Sequence, residues 1–417
     1  MIVSVIGMGY IGLPTAAVLA SRRVKVIGID VNQHVVDTIN QGKIHIIEPE
    51  LDILVRSAVQ TGHLRASKQP EKADIFMIAV PTPFKGEYEP DLSYIESAAK
   101  SIAPVLEKGN LVILESTSPV GATEKMMEWM RMERPDLSFP EFENDNSQAD
   151  IAIAHCPERV LPGHIIRELV ENDRIIGGVT TRCAERARNL YKIFVEAECI
   201  ITDCRTAELT KLVENSFRDV NIAFANELSL ICDKLGINVW ELIKLANRHP
   251  RVNILQPGPG VGGHCIAVDP WFIVNSAPNE AKLIHAARLV NDGKPYFILE
   301  KINHAAAIIA QDKSKIRITC LGLAFKPDID DLRESPALNI AQQVSLMGFS
   351  KVSLVEPNIT KIPEGFNDNG TIELVAMDEA IKAADIVVLL VDHAQFKSMN
   401  LSLLSGKQVI DTRGIWS

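Results

Sequence analysis

The residues best suited to covalent chemistry lie in Val261-Gly262-Gly263-His264-Cys265, with Asp269 four positions further on. Glycines ahead of a cysteine let a ligand approach the backbone and leave the thiol accessible, and a thiolate adds readily to an electron-poor carbonyl carbon. Taken alone, Cys265 also fits a small buried residue, the commoner use of an unpaired cysteine. His264 beside it could lower the thiol's pKa or simply face elsewhere.

Two further segments carry groups that could assist. Lys211, Asn215 and Arg218 fall at i, i+4 and i+7, so a lysine, an amide and a guanidinium share one helical face. An isolated stripe of that kind reads as solvated surface; Asn215 is an odd choice for such a stripe. The run His155-Cys156-Pro157-Glu158-Arg159 follows an apolar segment. That places Glu158 at the carboxyl end of a strand, where open α/β sheets bind ligands. An ion pair between Glu158 and Arg159 is the structural alternative.

The elements that must position these groups begin with IVSVIG, followed by Gly7-Met8-Gly9-Tyr10-Ile11-Gly12 and a helix opening near Pro14. Gly7 permits a tight turn, Gly9 lets a pyrophosphate reach the backbone, and Gly12 allows close helix–strand packing. The helix N-terminus offers free N–H groups to phosphate. Asp30 ends the second apolar run 18 residues beyond Gly12. There a carboxylate accepts hydrogen bonds from ribose hydroxyls and repels a 2′-phosphate, which favours NAD over NADP.

Residues 1–180 alternate apolar runs with amphipathic stretches, the pattern of a doubly wound parallel sheet covered on both faces. The acidic segment EFENDNSQAD (141–150) is expected to be an exposed loop. From Asp203 to Leu235 no proline or glycine interrupts the chain. This predicts a connecting helix of roughly 50 Å, with Asp203 at its start and Gly236 at its end. Leu209, Leu212, Val213, Phe217, Val220, Phe224, Leu228 and Ile231 recur at helical spacing along it and are expected to supply its apolar packing. The helical middle spans 200–300. A smaller α/β domain without a GxGxxG follows over 314–417.

With 417 residues the chain is long enough for two or three domains. Its net charge of −10 argues against nucleic acid or an anionic membrane as partner. No apolar run approaches the ~18 residues of a membrane span. The chain opens directly on a strand, so no signal peptide is expected. Seven scattered cysteines without a CxxC suggest reduced thiols and the cytoplasm. Cys199 and Cys204 are only a weak metal pair, and no metal is expected.

Several long segments, in order, resemble the UDP-glucose/GDP-mannose dehydrogenase family over essentially the whole chain. They are GMGYIGLPTA, AVPTPFKG, ESTSPVGATEK, CPERVLPG, TKLVENSFRDVNIAFANELSLIC, ANRHPRVNILQPGPGVGGHCIAVDPW and GLAFKPDIDDLRESPA. The resemblance implies Rossmann-like domains at both ends flanking a central helical domain used for dimerisation, with a UDP-sugar bound by the C-terminal domain. It implies oxidation of a sugar C6 alcohol to the acid, with reduction of two NAD. Cys265 would be the nucleophile, Lys211 the oxyanion or proton partner, and Asn215 and Asp269 would position water or oxygen. Glu158 would assist hydrolysis, and Thr117 would lie near the nicotinamide.

Carried over in the same way, Tyr10, Ile11, Asp30, Thr82, Thr117 and Arg333 match cofactor contacts. Arg159, Val160, Lys211, Asn215, Arg218, His249, Arg251, Gly262, Phe325, Lys326 and Arg413 match substrate contacts. Arg251 would reach in from a neighbouring subunit. The segment around Cys265 resembles the N-acetylmannosamine branch of the family, with UDP-N-acetylglucosamine or UDP-glucose as the alternative substrates. A two-electron hydroxyacid dehydrogenase shares the architecture but has no need of Cys265, and a non-catalytic NAD-sensing protein has no need of the trio Lys211, Asn215 and Cys265.

Overall fold

The computed structural model describes all residues except 87, 143–147, 162, 264, 311, 367–369 and 417. His264 and the centre of the acidic 141–150 segment therefore lie outside the described residues. The chain divides into two units, Met1–Glu214 and Asn215–Ser417.

The first unit is built on β1 (Ile2–Ile6), β2 (Lys25–Ile29), β3 (Leu64–Ser67), β4 (Ile75–Ile78), β7 (Leu111–Leu114), β8 (Ala152–His155), β9 (Arg174–Gly178) and β10 (Cys199–Asp203). A small hairpin of β5 (Phe84–Lys85) and β6 (Glu89–Pro90) intervenes. The sheet order is β10-β9-β8-β7-β4-β1-β2-β3. The apolar runs 3–6 and Leu111–Leu114 are buried because helices cover both faces, and two apolar clusters fill those layers.

One feature departs from the expected all-parallel sheet. β9 pairs with β8 antiparallel, Ala154 opposite Gly178 and His155 opposite Gly177. β10 then runs parallel to β9. Continuing that register brings residue 158 level with residue 174, at the edge where β8 ends.

The helix Cys204–Leu235 starts where Asp203 caps it, accepting from Thr206 N at 2.9 Å and from Thr206 Oγ1 at 2.6 Å. Gly236 ends it with φ +70°. The expected apolar stripe is a correction: Leu209, Val213, Phe217, Phe224 and Ile231 are exposed, Phe217 by 71%. The buried face instead carries Ala207, Leu212, Ser216, Asp219, Ala223 and Asn226. Periodicity identifies residues that share a face, and it does not say which face the chain covers with its own elements.

In the second unit the helix Lys282–Ile309 carries the buried Arg288 and Asn291. Arg288 donates to Asp219 at 2.6 Å, Asn291 donates to Asp219 at 2.8 Å, and Asn226 donates to Asn291 at 2.8 Å. This network locks the helices together with matched donors and acceptors. A five-stranded parallel sheet closes the unit: β11 (Arg317–Leu321), β12 (Lys351–Val355), β13 (Ile372–Leu374), β14 (Ile386–Leu389) and β15 (Gln408–Asp411), in the order β13-β12-β11-β14-β15. Among the described residues no helix is long and apolar enough to cross a membrane. None form a group of three potential metal ligands.

Candidate active site

Gly7 adopts φ +91°, and its N–H donates to Ile29 O at 2.8 Å. The helix Gly12–Ser21 then starts at Gly12, two residues earlier than Pro14 suggests. A Cβ on Gly12 would stand 1.8 Å from Gly7 O, so only glycine fits. Gly9 has nothing within 4 Å of where a Cβ would be. Its open side is the space a pyrophosphate needs. Asp30 leaves the end of β2 and braces the turn, accepting from Met8 N at 3.0 Å and from Asn32 N at 2.9 Å.

Tyr10 is exposed and Ile11 half-buried beside this turn, and Thr117 follows β7. Thr82 Oγ1 is buried and has no hydrogen-bond partner among the described residues, which is costly unless a ligand supplies one. The open Gly9, the Asp30 carboxylate and the orphaned Thr82 hydroxyl together fit a dinucleotide.

Glu158 is buried, and its ion pair is with Arg174 at 2.6 Å rather than with Arg159. From Arg159 it accepts only the backbone N–H, at 2.7 Å. The Arg159 guanidinium pairs with Glu214 at 2.5 Å. Around Arg174 stand Glu115, Tyr191 and Cys156, and Tyr191 OH donates to Glu115 at 2.9 Å. Burial, reinforced by the nearby Glu158 charge, pushes the Glu115 carboxyl up to about 8. Two carboxyls thus flank one guanidinium, and the more deeply buried one holds its proton at neutral pH. Sequence reasoning missed Arg174, Glu115 and Tyr191, since only the antiparallel register of β9 brings Arg174 to Glu158. His155 is buried, and desolvation lowers it to about 3, which leaves a neutral ring.

Lys211 is half-buried and Val160 packs at the edge of the first apolar cluster. One turn before Lys211, Glu208 accepts from Gly121 N at 2.6 Å and from Thr123 N at 2.8 Å. It thereby caps the helix Ala122–Glu133, which lacks a capping side chain of its own.

In the second unit, Asn215 Nδ2 donates to Asp269 Oδ2 at 2.5 Å. Asp269 is buried at the start of the helix Asp269–Ser276, and its N–H donates to Cys265 O at 2.8 Å. Cys265, half-buried, therefore sits in the turn that feeds this helix. The glycines before it are pressed against protein. A Cβ on Gly262 would stand 2.5 Å from Glu334 O and 2.8 Å from Phe325 Cβ, and one on Gly263 would meet the Phe325 ring at 3.0 Å. Gly263 N also donates to Arg333 O at 3.1 Å.

A Cβ on Gly258 would stand 2.4 Å from an Arg413 terminal nitrogen. Arg413 in turn pairs with Asp392 at 2.9 Å. The structure thus brings Cys265, Asp269, Asn215, Gly262 and Phe325 together, with Gly258 and Arg413 at the other end of the glycine run. Lys326 is exposed beside Phe325. Arg333 pairs with Asp331 at 2.5 Å. Arg218, His249 and Arg251 are exposed, and the Arg251 N–H donates to His249 Nδ1 at 3.3 Å.

A cavity of about 480 Å³ lies beside the other end of the glycine run, lined in part by Trp240, Pro257, Lys294, Phe297, Lys301 and Thr412. Lys294 is buried there, donates to Ser229 at 2.7 Å and lies 4.7 Å from the Phe297 ring centre. Desolvation lowers its amine to about 8.

The glycine turn braced by Asp30 at the end of β2 defines a dinucleotide-binding α/β protein. The chain belongs to the UDP-glucose/GDP-mannose dehydrogenase family. The family's NAD binding domain matches residues 1–195, its central domain 205–293 and its UDP binding domain 319–417. The protein is accordingly an NAD-dependent sugar-nucleotide dehydrogenase.

It is 61% identical over 415 residues to the NDP-N-acetyl-D-galactosaminuronic acid dehydrogenase of Ralstonia nicotianae, covering 100% of this chain and 96% of the relative. It is 60% identical over 418 residues to the UDP-N-acetyl-D-mannosamine dehydrogenase of Yersinia pestis, covering 99% of each. Among solved structures, the UDP-D-ManNAc dehydrogenase of Pyrococcus horikoshii superposes with a TM-score of 0.88 at 38% identity, covering 100% of this chain and 96% of that one.

Proposed function

We propose that the protein oxidises C6 of UDP-N-acetyl-D-mannosamine to the carboxylate, giving UDP-N-acetyl-D-mannosaminuronate for a cell-surface polysaccharide. The observation that carries the reading is Cys265 in a turn whose carbonyl is bound by the N–H of Asp269, itself bonded to Asn215. A two-electron alcohol dehydrogenase needs no thiol. A four-electron one does, because an aldehyde has no transferable hydride until a nucleophile adds to it.

The glycine turn 7–12, Tyr10, Ile11, Asp30, Thr82, Thr117 and Arg333 hold NAD, which accepts hydride when bound. Cys265 adds through its thiolate to the aldehyde carbon and forms a thiohemiacetal, whose oxidation leaves a thioester. Water cleaves the C–S bond, the carboxylate leaves, and the thiolate is restored. Lys211 stabilises the oxyanion, Asn215 and Asp269 orient the attacking water, and Glu158 takes its proton. Arg159, Val160, Arg218, His249, Gly262, Phe325, Lys326 and Arg413 bind the sugar nucleotide, the cations offering charge that an acidic chain otherwise lacks.

The protein works in the cytoplasm as a homodimer. The exposed stripe Leu209, Val213, Phe217, Phe224 and Ile231 supports a subunit contact. Arg251, exposed on its loop, reaches the partner's sugar nucleotide.

The test is stoichiometry across epimers. With purified protein and a UDP-sugar panel, two NADH should form per UDP-N-acetylmannosamine consumed. One NADH, or none, would defeat the four-electron reading. Preference for the galacto epimer would move the substrate toward that in the Ralstonia relative's name and leave the mechanism intact. Cys265→Ser should abolish acid formation with NAD affinity nearly unchanged.

A further inference from the structure

The loop that leaves β11 carries Phe325 and Lys326, and two side chains outside it hold it on both sides of that pair. Glu356 follows β12 and His393 follows β14, the two strands that flank β11. Before Phe325, Glu356 Oε2 accepts the N–H groups of Leu323 at 2.8 Å and Ala324 at 3.0 Å. After Lys326, His393 Nδ1 accepts the N–H of Asp328 at 2.9 Å. Nδ1 is therefore the acceptor nitrogen, so the ring proton sits on Nε2 and is donated to Glu356 Oε2 at 3.0 Å. Asp328 Oδ1 accepts in return from Ala394 N at 2.9 Å.

His393 and Glu356 are both buried, and Phe396 packs edge-on against the imidazole at 5.2 Å. Asp328 is held at φ +62°, a conformation a non-glycine residue keeps only when its surroundings impose it. The far side of the loop meets the nucleophile's segment, with Phe325 filling the space that Gly262 and Gly263 leave open and Arg333 O accepting from Gly263 N.

We infer that the Glu356–His393 pair is a positioning device for the sugar nucleotide, fixing Phe325 and Lys326 against the glycine run that precedes Cys265. The inference rests on the reading of Phe325 and Lys326 as substrate contacts. Neither Glu356 nor His393 touches substrate; each acts through the backbone of the loop.

The experiment compares His393→Ala, His393→Asn and Glu356→Gln in the full chain. Calorimetric titration of UDP and of NAD is paired with amide hydrogen exchange across 323–328. His393→Ala should weaken UDP binding roughly tenfold, the worth of one lost buried hydrogen bond. It should speed exchange at Asp328 and weaken NAD binding far less than UDP binding, since of the proposed cofactor contacts this loop carries Arg333 alone. His393→Asn, whose side-chain oxygen can replace Nδ1 as acceptor, should recover most of the UDP affinity. Glu356→Gln should show the same selective loss to a smaller extent, and it carries the test if the alanine variant does not fold.

Equal loss of UDP and NAD affinity, or unchanged exchange at Asp328, would overturn the inference. So would faster exchange with unchanged UDP affinity. Failure of the wild-type protein to bind UDP would instead strike the functional reading, and the exchange data would still report on whether the pair holds the loop.

Discussion

The chain contains two glycine runs, and they use the missing side chain for different ends. In residues 7–12, Gly7 and Gly12 are required by the protein's own backbone, while Gly9 faces open space. In residues 258–263, Gly258, Gly260, Gly262 and Gly263 are all filled from the protein side, by Arg413, Pro336, Glu334 and Phe325. The first run keeps room for a ligand; the second lets one piece of protein sit tightly on another. A motif of glycines near a reactive residue therefore does not by itself mean that substrate touches those glycines. At Cys265 they seat the thiol's segment against the loop that follows β11.

Substitutions can break or sharpen this contrast. The largest effect is expected from Gly12→Ala, whose Cβ would overlap Gly7 O. A backbone–backbone clash cannot be relieved by a rotamer change. NAD titration should show no binding, and thermal unfolding of the first unit should fall by ten degrees or more, corresponding to about 3 kcal/mol. Wild-type NAD affinity in this variant would mean that the turn is not built as described.

Gly262→Ala should come next. It should lower UDP affinity and turnover by roughly two orders of magnitude, since about 2–3 kcal/mol of strain falls on the Phe325 loop. NAD binding should persist. Gly9→Ala should leave the melting temperature unchanged while raising the NAD Kd roughly tenfold, because its Cβ meets only the ligand. A melting-temperature drop there would put Gly9 in the same class as Gly262.

The smallest effect concerns the cavity beside the second run. The Lys294 amine is lowered to about 8 in the folded protein by desolvation, from an ordinary value of 10.5. Between those values the unfolded chain binds more protons than the folded one, so stability rises with pH across the window and the penalty is complete below about 8. Lys294→Met should therefore stabilise the protein at pH 7 by on the order of 1–2 kcal/mol. Its advantage should fade as pH approaches 10. Denaturant midpoints at pH 7 and pH 9.5 would check this, and an equal gap at both would refute it.

Short-range features were legible in the sequence. The strand, turn and helix around Gly7–Gly12 are set within one stretch, and the long helix follows from an uninterrupted run with a cap at Asp203 and a stop at Gly236. The last hundred residues read as a smaller α/β domain, and a five-stranded parallel sheet forms there. What could not be read depends on partners distant in sequence. Arg174 finds Glu158 through a strand reversal that no local pattern announces. The stripe from Leu209 to Ile231 has the right period, yet of its members Leu212 is buried while Leu209, Val213, Phe217, Phe224 and Ile231 face away from the chain's own core. Glu356 and His393 are ordinary strand-end residues until the sheet order puts β12 and β14 on either side of β11.

The reversed strands β9 and β10 also limit how this protein can be dissected. Strands β3-β2-β1-β4-β7-β8 make up a complete six-stranded dinucleotide module, and a chimera designer would cut after His155 or shortly beyond. Either cut would leave β8 as a bare hydrogen-bonding edge, and one made beyond Glu158 would also strand that carboxylate without its guanidinium. A transplantable NAD module from this chain must therefore run through Asp203, and the two strands that look like an appendix travel with it as part of the graft.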